Sequence, residues 1–97
     1  MNLESKEIRA WILKALYNAK PYPLSFQTIT RGLMEAKFYC TEIGIKAHLK
    51  YLMDKGYTKY EHLERVEVKR DLNYITPKGI DLIEGSIPPD PGVMTID

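Results

Sequence analysis

The 97-residue chain has one cysteine, Cys40, which excludes an internal disulfide and any Cys-x-x-Cys redox or zinc motif. A lone thiol of this kind is expected to pack in the core. Histidine is nearly as scarce: His48 and His62 have no Cys or His at metal-ligand spacing. There is no Gly-rich phosphate loop, no Gly-x-Ser-x-Gly and no Asp-rich calcium loop. The carboxylates sit singly among lysines, without a pair suited to acid-base work, so the chain reads as a non-enzyme that takes no cofactor or metal. No apolar run approaches the ~20 residues that cross a bilayer, and residues 1–10 lack the basic-then-apolar order of a signal peptide. A cytoplasmic protein without a membrane partner is expected. An excess of one charge is missing too, since 14 basic residues face 13 acidic ones for a net charge of +1. That excludes a uniformly basic domain while leaving room for a local basic face.

What is present suits one globular domain: 44% hydrophobic and 28% charged residues in a length that supports a modest core without metal or disulfides. The best-delimited stretch is Thr41 to Tyr57. Thr41 is a suitable N-cap and Glu42 sits well at the positive end of a helix dipole. Ile45, Leu49, Leu52 and Met53 fall on one face and predict the buried side, while Gly56 predicts a left-handed stop with Tyr57 folding back on Leu52. Ile43, Gly44, Ala47, Lys50, Tyr51 and Asp54 then face outward, with Lys46 at the border.

Residues 4–19 predict an earlier helix, capped by Asn2 or Ser5, with Ile8, Ile12, Ala15, Leu16 and Ala19 inward. Ala10, Leu13 and Tyr17 lie on its other side, so it is apolar around more than one face. Either a later segment of the chain covers them or a second subunit does. Pro21 and Pro23 break the chain, Leu24 suits a short edge strand, and Ser25 caps a helix over 26–36 with Phe26, Ile29 and Leu33 inward. Gly32 weakens the middle of that helix unless another backbone packs closely there. Residues 57–60 and 72–75 predict an antiparallel hairpin whose tip, within 64–71, has no Asn-Gly or Asp-Gly to set the register. Thr76-Pro77 opens a final helix ending at Gly85. The domain is therefore 1–85, and 86–97 is a Pro-rich extended tail. Ile87, Val93, Met94 and Ile96 give that tail more apolar surface than solvation requires, so with Leu13 and Tyr17 they mark a dimer or partner surface.

This order of elements, with IKAHLKYLMDKGYTKY at 45–60 and YITPKGIDLIEG at 74–85, resembles the winged helix-turn-helix superfamily. Bacterial regulators of the MarR, PadR and ArsR types carry similar phrases, and the IPPDPG segment resembles small winged-helix proteins of Mu-like prophages. The resemblance implies an α+β fold: a three-helix core, a C-terminal β-hairpin wing and a short final helix. It also implies a DNA-binding transcriptional regulator, with helix 41–55 in the major groove of double-stranded DNA, hairpin 57–75 as wing, and a homodimer on the site. Carried onto this sequence, Thr41, Glu42, Gly44, Lys46, Ala47, Lys50 and Tyr51 approach the DNA from the helix, and Arg65, Lys69 and Arg70 from the wing. Glu42, Ile43 and Asp54 suit phosphate poorly, and the alternative is a winged-helix module that binds a protein partner in a phage or replication assembly.

Overall fold

A computed structural model describes residues 3–95; the proposed Asn2 cap and the partner-surface residue Ile96 lie outside that range. The chain is a winged helix of the α+β class. Helix α1 spans Leu3–Ala19, strand β1 Leu24–Ser25, α2 Phe26–Glu35, α3 Glu42–Asp54, β2 Thr58–Arg65, β3 Val68–Ile75 and α4 Pro77–Glu84. The strands form one antiparallel sheet in the order β1-β3-β2.

The helix starts follow the sequence. Ser25, Thr41 and Thr76 are extended N-caps whose hydroxyls accept from the amides of Thr28, Gly44 and Gly79. The stops share one geometry. After α3, Gly56 turns left-handed at φ 84° while its amide bonds Met53 and the Tyr57 amide bonds Leu52, both at 2.9 Å. After α4, Gly85 does the same at φ 77°. After α2 the left-handed position is Lys37 at φ 71°, which no glycine announced. Its amide bonds Met34 at 3.0 Å and that of Phe38 bonds Leu33 at 2.9 Å.

Helix α1 packs on α2, α3, α4 and β3, which explains why it is apolar around several faces. Ile8, Ala10, Ile12, Leu13 and Leu16 are all buried and join Ile29, Leu33, Ile45, Leu52, Tyr57 and Val93 in one core. Leu13 is 0% exposed in the single chain, so the expectation that it forms a partner surface is corrected: its own domain covers it. Val93 of the tail, 7% exposed, is likewise core. Gly32 makes room for Trp11, whose ring would overlap a Cβ placed there, so a side chain rather than a backbone packs closely against α2. Met53 is 43% exposed instead of buried. It lines an open groove between α3 and the sheet.

Residues 86–95 do not trail into solvent. The Met94 amide bonds the Lys6 carbonyl at 3.2 Å, and Asp90 and Gly92 lie against α3 and α1. We term this segment the strap.

Candidate nucleic-acid interface

Helix α3 presents three sides besides its core face of Ile45 and Leu52. Toward the hairpin, Lys46, Leu49, Lys50 and Met53 line a groove of about 370 Å³ with Phe26, Tyr60, Asp71 and Asn73. On the opposite flank, His48 and Tyr51, one turn apart, meet Arg9 and the strap. Between them lies an exposed strip that includes Ile43, Ala47 and Asp54.

This arrangement sorts the residues expected to approach DNA. Lys46, Ala47 and Lys50 are exposed together on the strip and groove edge. Thr41 is exposed but its hydroxyl is engaged as the N-cap, accepting from Gly44 N at 3.0 Å. Gly44 is half-buried, and a Cβ there would stand 2.9 Å from Cys40 Sγ and 3.2 Å from Thr41 Oγ1. Its small size thus serves the first turn of the helix. Tyr51 departs from the expectation: it is half-buried, its ring lies beneath Arg9 at 3.9 Å and its hydroxyl donates to Asp90 at 2.7 Å. The strap, nearly forty residues later in the chain, claims the flank that helical periodicity left open.

Each lysine expected to approach DNA stands beside a carboxylate. Lys46 pairs with Glu42 at 3.3 Å, Lys50 with Asp54 at 2.8 Å and Lys69 with Glu64 at 3.3 Å. All six side chains are more than half exposed, so these pairs hold each other weakly and a phosphate can compete for the lysines. Arg65 and Arg70 have no ion pair among the described residues.

The pairing register decides where the wing charges point. Arg65 faces Val68 across the two-residue turn Val66-Glu67, Glu64 faces Lys69, and His62 faces Asp71. Alternation then places Tyr60, His62, Glu64, Lys69, Asp71 and Asn73 on the α3 side, and Lys59, Leu63, Arg65 and Arg70 on the other. Lys69 is therefore separated from the two arginines expected to act with it. On the α3 side Asp71 accepts from Tyr60 Oη at 2.6 Å and lies 2.8 Å from His62 Nδ1. These bonds hold the Asp71 carboxyl below its usual range, chiefly through Tyr60 and then His62. The Asp71 bond in turn raises His62, helped by Glu64.

The sequence missed the strap's polar anchor. Asp90, with 4% of its side chain exposed, accepts from Tyr57 Oη at 2.6 Å, Tyr51 Oη at 2.7 Å and Gly92 N at 2.7 Å. Burial alone would push its carboxyl up, but the Tyr57, Tyr51 and Gly92 bonds and the Lys55 charge outweigh that and hold it low. Burial, with the Asp90 bond and charge, drives the Tyr57 hydroxyl far above its ordinary value. Arg9 Nε donates to His48 Nδ1 at 3.2 Å; burial first, then the Arg9 charge, lowers His48 and keeps it neutral as the acceptor. A lone Asp between prolines carried no sequence signal of this role. Among the expected partner-surface residues, Tyr17 donates to Glu84 at 2.7 Å and Ile87 is half-buried in the apolar packing of the strap.

No family model matches the chain, and no curated protein matches it. Among solved structures it is similar to Bacillus subtilis PadR in complex with operator DNA, with 22% identity and a TM-score of 0.62 over 93% of this chain. The chain spans about half of that protein, 53% of its length. The likeness is one of fold.

Proposed function

We propose that the chain is a DNA-binding transcriptional regulator that acts by occupancy, with α3 in the major groove and the β2–β3 hairpin as its wing. The observation that carries this reading is the exposed cluster of Lys46, Ala47 and Lys50 on a third helix whose far flank is held by Arg9 and Asp90. Their carboxylate partners are loose enough to yield to phosphate. The similar PadR structure was solved with operator DNA, which supports the same use of the fold here. In this reading Lys46 and Lys50 meet phosphate or guanine edges, Ala47 a thymine methyl, and Arg65 and Arg70 the neighbouring backbone. We further propose a homodimer on a pseudo-palindromic site, its contact drawn from the half-exposed Tyr17 and Ile87. Light scattering that finds a monomer at high concentration rejects the dimer.

A duplex-DNA titration at several salt concentrations tests the main proposal. Affinity should fall steeply with salt as phosphate contacts release counterions, and Lys50→Ala should lower the log-log slope by about 1. Salt-insensitive or absent binding rejects it. A second reading, a protein-binding module in a phage or replication assembly, is favoured by Ile43 at 82% exposure with Tyr39 at 73% and Met34 at 56%. Loss of DNA affinity in Lys50→Glu with the fold intact removes that reading; loss of partner binding in Ile43→Asp supports it.

A further inference from the structure

The strap is tied to the body by two charged side chains acting on the same flank of α3. Asp90 accepts from Tyr51, Tyr57 and the Gly92 amide at 2.6–2.7 Å. Arg9 reaches across from α1, covers the Tyr51 ring and donates to His48 Nδ1 and the Gly92 carbonyl, both at 3.2 Å. Gly92 lies so close to Tyr51 that a Cβ would overlap the phenol. Both α3 groups in this network, His48 and Tyr51, are on the flank away from the hairpin. A buried carboxylate carries a desolvation cost that an apolar tether avoids, so its benefit lies in fixing one arrangement more than in adding stability.

We infer that the strap is a latch that sets the orientation of α3, with Asp90 and Arg9 as positioning residues. Its relevance to DNA reading rests on the proposed function: a helix free to roll on its core face would carry Lys46 and Lys50 out of register with the hairpin arginines. The latch itself touches no phosphate. Losing it therefore weakens binding without changing the number of counterions released.

The test uses the full chain and two variants. Asp90→Asn keeps the shape of the anchor and removes its charge; Tyr51→Phe removes one hydroxyl and keeps the ring under Arg9. Residue-resolved amide exchange and duplex titration across salt are read at a temperature where urea melts show the variants folded. In Asp90→Asn the amides of residues 48–54 should exchange about tenfold faster relative to those of α1, and affinity should drop about tenfold at an unchanged salt slope. Tyr51→Phe should shift both in the same direction by less. Unchanged α3 exchange, or exchange that rises equally in α1, overturns the latch. A salt slope reduced by about 1 overturns it as a positioning device, because that marks a lost phosphate contact. Wild-type protein without duplex affinity overturns the functional reading and leaves the latch to the exchange measurement.

Discussion

Asp90 shows how much one residue organises in this chain. Its carboxylate closes the hydrogen bonds of two tyrosines and one backbone amide inside the protein. Asp90→Ala should cost about 2–4 kcal/mol in urea unfolding, since it strands two phenol hydroxyls as well as deleting charge-assisted bonds. Lys37 is the converse case, a long side chain in the left-handed position that ends α2 at φ 71°. Lys37→Gly should stabilise the protein by about 1 kcal/mol, read as a raised urea midpoint at constant m-value. Neither residue was legible in advance. Asp90 looks like a turn residue between prolines until Tyr51 and Tyr57 are placed around it, and a lysine gives no local hint of positive φ.

At the scale of elements, α3 was legible in its ends and only partly in its faces. Thr41, Glu42 and Gly56 act through backbone groups a few residues away, so local chemistry sufficed. The assignment of Met53 to the core and Tyr51 to the outside failed because the hairpin and strap, not the helix, decide which flank is covered. The ion pairs on the outward strip permit a charge test. Asp54→Asn should raise duplex affinity about two- to fivefold by freeing Lys50, while stability changes by less than about 0.5 kcal/mol. The wing offers another test. Its strands close over Val66-Glu67 with neither residue at positive φ, whereas a two-residue hairpin favours turns that need it. Replacing these two residues with Asn-Gly should slow amide exchange across β2 and β3 without altering the core.

Acidification should remove stability in two stages, the first partly offset by exposed His62, whose raised folded pKa favours the folded state as that ring takes up its proton. His48 has a folded pKa below its ordinary 6.5, so the unfolded chain binds the extra proton first. Its contribution is complete above about pH 6.5 and is lost as pH falls through the lowered folded value. Asp90, also held low, contributes fully above the ordinary carboxylate range near 3.8 and is lost only at more acidic pH. Urea midpoints measured from pH 8 to 3 should show both declines, and His48→Gln should remove the first.

The sequence by itself determined the starts of α2, α3 and α4, the stops of α3 and α4, the hairpin and the winged-helix order, because caps, prolines and apolar periodicity act over one or two turns of chain. It also marked the third helix as the surface of interest. Only the tertiary structure decided that α1 is covered by its own chain, that Lys69 is parted from Arg65 and Arg70, and that the apolar tail is a strap across α3. Each of these depends on residues about twenty or more positions apart or on a strand register with no turn signal, and contacts of that range leave no trace in local pattern. The helix with one certain face thus has a second one with a cause: His48 and Tyr51 are held from behind, and the exposed part of α3 is the strip and groove edge that carry Ile43, Lys46, Ala47, Lys50 and Asp54.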